Sequence, residues 1–151
     1  MTIGLIVHVL AAVIWVGGMF FAYVVLRPAT EAIDPHLRLE LWGQAFRGFF
    51  PWVWASVVAL LVSGYGMVFF ALGGFKAAGV HVHLMQTIGL LMIALFLHLY
   101  FAPWARLRRA LEAGDDQMGA RQLTQIRRMV AINLALGLLT AAIGASGRYW
   151  G

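Results

Sequence analysis

Five histidines and no cysteine define the metal chemistry open to this chain. His8 stands inside a long uncharged run, His81 and His83 open another, and His98 lies near the far end of that second run. Only His36 sits among charged residues. A neutral imidazole offers one nitrogen lone pair, so two imidazoles on facing helices can hold haem iron or copper. Gln86, Thr87 and Asn133 are the other polar residues of interest in these runs. A polar side chain inside an apolar span costs free energy, which makes each one a functional candidate. No Asp, Glu, Lys or Arg interrupts the runs, and this argues against a proton pump or an ion-coupled transporter. Without thiols, disulfides, zinc–thiolate sites and covalent c-type haem are excluded.

His8 lies roughly 7–8 Å along a helix that begins near Ile3, at about 1.5 Å per residue. His83 and His98 are roughly 22 Å apart along one helix and about 60° apart around it, at about 100° per residue. They therefore share a broad stripe with Thr87 and Ala94. His8 and His83 are expected to face each other across the outer half of a bundle, with His98 near Asn133 as a reserve ligand. Trp15, two turns from His8, would flank a ligand, and Gly17, Gly18 and Gly89 would open a slot of porphyrin width. Each residue also has a plainer reading. His81 and His83 at a span end can contact water and headgroups, His98 can bond Asn133 or a carbonyl, and Trp15 can pack. The seven methionines form no Met-x-x-Met cluster and read as core and lipid-facing residues.

The elements that must position these residues are membrane spans. The chain has 151 residues, 62% of them hydrophobic and 11% charged. Soluble domains carry about 45–50% apolar and about 25% charged residues, so the excess apolar surface must face lipid. A bilayer core of roughly 30 Å needs about 20 apolar helical residues. Four uncharged segments qualify: Ile3–Leu26, Gly48–Phe75, Ala77–Ala105 and Met129–Gly147. Continuous runs in lipid must be helices that satisfy their own backbone hydrogen bonds, not alternating barrel strands. The predicted fold is an all-α integral membrane protein, an antiparallel bundle of four transmembrane helices forming a single domain over residues 1–151.

Nine of the eleven Lys and Arg fall in the first and third connections, which the positive-inside rule assigns to the cytoplasm. Both chain ends and the Gly73–Gly79 turn are then outside the inner membrane. The net charge of +5 is thus a topology signal and not a nucleic-acid surface. No cleavable signal sequence is expected, since no basic residue precedes the first run. The first connection, entered after Asp34-Pro35, is expected to form a short interfacial helix. The third is expected to extend the flanking spans and break near Gly114-Asp115-Asp116. Trp52, Trp54, Trp104, Tyr149 and Trp150 read as anchors at the membrane surface. Small residues such as Ala11, Gly18, Gly64, Gly137 and Gly144 mark where helices approach closely.

The stretch from His8 to Phe20, with its His, Trp15 and Gly17-Gly18, resembles the opening span of CopD-like (copper resistance protein D) membrane proteins. It is also similar to that of HemJ-type protoporphyrinogen oxidases. Phe49-Phe50-Pro51-Trp52-Val53-Trp54 and His81-Val82-His83-Leu84-Met85-Gln86 resemble the short, stand-alone four-span CopD members. The CopD resemblance implies copper uptake across the inner membrane. The HemJ resemblance implies b-haem held by a first-span His and a later His-x-Lys. His8 matches the first of these. If His81 is set on the second His, His83 falls on the Lys, which puts the oxidase activity in doubt. The leading expectation is a haem-b protein with His8 and His83 as axial ligands, serving electron transfer or quinone-linked redox chemistry as a membrane oxidoreductase. Its expected partners are the bilayer and a quinone or redox protein, with homo-oligomer formation left open. The alternative is a copper-binding or copper-transporting protein, with His81 and His83 capturing the ion and His98 with Met92 passing it inward. A structural or assembly subunit is the third reading.

Overall fold

The computed structural model describes residues 2–150, Arg148 by its backbone alone. Four long helices make up the chain: α1 (Thr2–Ala29), α2 (Pro35–Phe70), α3 (Val80–Ala113) and α4 (Asp116–Ser146). Each is long and apolar enough to cross a membrane. Only 17–28% of each helix's most apolar stretch is buried, so most of its side chains face outward. Ile6, Leu10 and Val13 on α1, Val62 on α2, Leu90 and Leu91 on α3, and Leu138 and Leu139 on α4 form this exterior. In water such a surface would aggregate, and in lipid it is the solvated face.

The helix ends follow from local chemistry. Asp34 caps α2 by accepting hydrogen bonds from the backbone N–H groups of His36 and Leu37, and Pro35 fills the first helical position. Gly114 closes α3 at φ +67°, a left-handed conformation that glycine adopts without a Cβ penalty. Asp115 then caps α4 through the Met118 N–H. The turn between α2 and α3 passes through Gly73 and Gly74, both at positive φ. These glycines stop α2 at Phe70, five residues before the end of the apolar run, and delay α3 to Val80. α1 and α3 each contain a π-helical turn, at Phe21–Leu26 and Tyr100–Trp104. Pro103 lies within the second and Pro28 just beyond the first, and a proline removes an N–H from the helical ladder.

The first connection differs from expectation. No separate interfacial helix forms; α2 runs unbroken for 36 residues, about 54 Å, well beyond a hydrocarbon core of about 30 Å. Nothing between His36 and Phe50 breaks the helix, and Pro51 is accommodated within it. The overhang buries Leu39, Trp42, Gly43 and Phe46 against the basic-side extensions of α3 and α4. This layer also corrects the reading of two aromatic residues as surface anchors. Trp104 is only 3% exposed and meets Phe50 edge-on at 5.3 Å, and Trp54 packs on Phe96 and Tyr100. Trp52, Tyr149 and Trp150 are exposed as expected.

α1 packs along α2, α3 along α4, and α1 also meets α4. Small residues set the closest approaches. A Cβ at Gly137 would stand 2.8 Å from a Val16 methyl, and one at Gly144 would stand 2.9 Å from the Met85 methyl. The centre of the bundle is aromatic, with Phe46 and Phe50 stacked at 5.2 Å and Trp15, Phe96 and Tyr100 around them.

Candidate metal site at the seam of the first two helices

His8 is half-buried in the seam between α1 and α2. Its Nδ1 lies 2.9 Å from Ser63 Oγ. The Ser63 hydroxyl has one hydrogen, which it donates to the Ala59 carbonyl one turn back on its own helix. With that hydrogen on Ala59, the Ser63 oxygen is an acceptor for the His8 tautomer protonated on Nδ1, and in that tautomer Nε2 keeps its lone pair. A metal-binding histidine is commonly oriented in this way, by a hydrogen bond from the nitrogen that does not ligate. Gly64 makes the approach possible, since a Cβ there would stand 3.2 Å from the His8 ring. One turn further along α2, Met67 lies against Gly4, one turn from His8 on α1. Ser63 and Met67 also line a groove of about 570 Å³ along the α1–α2 seam, walled by Gly4, Val7, Ala59 and Val62. The seam thus carries an imidazole with a defined lone pair and a thioether on the facing helix.

The other predicted residues fall elsewhere. His83 is exposed, donates from Nε2 to the Phe75 carbonyl at 3.1 Å, and lies against the Phe75 ring. The expected pairing of His8 with His83 is not formed, because α2 takes up His8 and the α2–α3 turn takes up His83. His81 packs over Gly147 and toward Trp150 at the C-terminal end of α4. His98 is exposed on the outside of α3, while Met92 is buried. Asn133 does not receive His98; it donates across to the Met92 carbonyl at 3.3 Å. The expected stripe of His83, Thr87, Ala94 and His98 is a real face of α3, but it points away from the core.

The slot imagined for a porphyrin is not there. Gly17 faces outward with nothing near it, and the space beside Gly18 is filled by the Phe49 ring. Trp15 is buried edge-on against Phe96 at 6.1 Å and closes the centre instead of flanking an opening. These residues do not fit a haem held between His8 and His83. No group of three or more His, Cys, Asp or Glu converges among the described residues.

Ser63 and Met67 were not singled out by sequence as site residues. Their signal is the run Ser63-Gly64-Tyr65-Gly66-Met67, which interrupts large apolar residues with small and polar ones at the depth of His8. Tyr65 adds a link to α3, its hydroxyl accepting from Gln86 Nε2 at 3.1 Å.

The family model for copper resistance protein D matches residues 43–146. The chain belongs to the copper resistance protein D family. The matched segment holds Ser63, Gly64, Met67 and all of α3, and begins after α1. His8, on which the sequence resemblance mainly rested, lies outside it. The chain is also 28% identical over 141 residues to an uncharacterized protein of Aquifex aeolicus (strain VF5), covering 93% of this chain and 90% of that one. No solved structure matches.

Proposed function

We propose that this copper resistance protein D family member handles copper as its cargo, binding Cu(I) within the membrane at the α1–α2 seam. The observation that carries the reading is the Ala59–Ser63–His8 hydrogen-bond chain, which leaves Nε2 of His8 basic at a depth where water is scarce. His8 supplies the nitrogen donor and Met67 a soft sulfur donor. Val7 and Val62 give the groove beside Ser63 and Met67 an apolar wall. Family membership supports copper over haem, as does the filled space at Gly18. At the α2–α3 turn His83, engaged at Nε2 by the Phe75 carbonyl, has only Nδ1 left to offer an incoming ion. His98 and Met92 form no inward relay in this reading, because one is exposed and the other buried. The surplus of arginines beside the first and third connections supports placing those connections in the cytoplasm and both chain ends outside the inner membrane.

The deciding experiment is a competition titration of the detergent-purified protein with a chromophoric Cu(I) chelator, with metal analysis and a visible spectrum on the same sample. One Cu(I) per chain, lost in His8→Ala and weakened in Met67→Leu, is expected. A Soret band at full stoichiometry with no copper would overturn the proposal in favour of haem.

A further inference from the structure

The basic end of the bundle holds a second feature that copper handling does not use. Arg127 on α4 is two residues short of the apolar run that begins at Met129, and Arg27 closes the apolar run of α1. The Nε and Nη2 atoms of Arg127 are buried and have no hydrogen-bond partner. A guanidinium is always charged and presents five donors, so leaving the three N–H donors of these two nitrogens buried and unanswered is costly. Its charged neighbours are Arg27, Arg38 and the single carboxylate of Glu31. No carboxylate reaches it: among the described residues, both ion pairs belong to His36. The Arg127 guanidinium lies over the Trp42 ring at 5.1 Å, and that of Arg27 over the Tyr23 ring at 5.1 Å. Trp42 is itself fixed by donating to Thr30 Oγ1 at 3.3 Å. Arg27, Arg127, Tyr23 and Trp42 line one pocket between α1, α2 and α4. Its enclosed room is about 10 Å³, enough for one small polar atom group and too little for a whole ligand.

We infer that Arg27 and Arg127 form a binding site for the phosphate of an anionic phospholipid headgroup. Both guanidinium groups line this pocket, and among the described residues no carboxylate pairs with either. The phosphate sits at the pocket mouth beside Arg27, and the Arg127 side chain turns Nε and Nη2 toward one of its oxygens. Arginine suits this role because its planar fork engages two phosphate oxygens at once. Basic pockets between spans at the membrane surface take anionic headgroups on these terms. A lipid source fits better than free phosphate because the neighbouring exterior is apolar and can seat the acyl chains: Val24 and Val25 are exposed one turn away on α1.

Native mass spectrometry of protein equilibrated in mixed micelles with equimolar phosphatidylglycerol and phosphatidylcholine tests the site. The wild-type chain should retain phosphatidylglycerol preferentially. Arg27→Gln and Arg127→Gln should each cut that preference about fivefold. Arg109→Gln, an equal charge change at an exposed position on the same side, should leave it intact. If Arg127→Gln does not fold, Arg27→Gln alone carries the test. Equal retention of the two lipids by the wild type overturns the site, as does an equal loss in Arg109→Gln. Displacement of the lipid by millimolar inorganic phosphate, with saturable phosphate binding in its place, overturns the lipid assignment.

Discussion

Replacing Ser63 by Ala removes one oxygen and tests the chemistry at His8 more sharply than removing the histidine. In the native chain the Ser63 oxygen accepts from Nδ1 of His8 at 2.9 Å while its hydrogen goes to Ala59. Without it, the ring keeps only the Leu60 carbonyl as a partner, and it can turn or carry its proton on Nε2. Loss of such an orienting partner weakens metal affinity about 10–100-fold, equivalent to about 1.4–2.8 kcal/mol. The cost to fold stability should be smaller, about 0.6 kcal/mol, because hydrogen bonds between spans average near that value. A competition titration with a Cu(I) chelator reads the affinity, and thermal unfolding in detergent reads the stability. Ser63→Ala should therefore lose copper affinity well out of proportion to its small loss in melting temperature. In a double-mutant cycle, His8→Ala with Ser63→Ala should bind no more weakly than His8→Ala alone, since the serine acts only through the ring. Unchanged copper affinity in Ser63→Ala, with the protein folded and His8→Ala inactive, would refute the reasoning that the hydroxyl defines the ligand.

Three other expectations follow from the same structure. Gly137→Ala places a Cβ 2.8 Å from Val16 and should destabilise the protein by about 1–3 kcal/mol, whereas Gly17→Ala meets nothing within 4 Å and should gain about 0.5–1 kcal/mol; melting temperatures in the opposite order would contradict the packing. The Asp116 hydrogen bond, with the charges of Asp116, Glu40 and Asp34, raises the pKa of His36, which stands on the overhang of α2 outside its apolar run. A raised folded-state value means that this link stabilises fully at pH below the ordinary imidazole range and fades as pH rises through the folded value, so the wild type should lose more of its melting temperature than Asp116→Asn does between pH 5.5 and 8.5. A single cysteine introduced at Gly114 should react with a membrane-impermeant maleimide only after the inner membrane is opened, and one at Ala78 should react in intact spheroplasts; the reverse pattern would invert the topology.

The four spans and their antiparallel order were legible because hydropathy and arginine placement act residue by residue, and each can be read without knowing any contact. The helix breaks at Gly73-Gly74 and Gly114-Asp115 were legible for the same reason. The overhang of α2 was harder to see. Its charges suggested a separate surface helix, and only contact with the extensions of α3 and α4 shows why it continues straight. The site depended on something no single helix contains. In an antiparallel pair, Gly4 meets Met67, His8 meets Ser63 and Gly64, and Gly18 meets Phe49, so the register of α1 on α2 decides what each side chain touches. His83 misled for the converse reason: its depth was right, but the α2–α3 turn folds back and Phe75 takes its nitrogen. The family match begins at residue 43 and so covers the receiving wall of the seam but not the histidine that enters it. Donor and support therefore lie on opposite sides of that boundary, and the copper reading depends on the helix pairing that joins them.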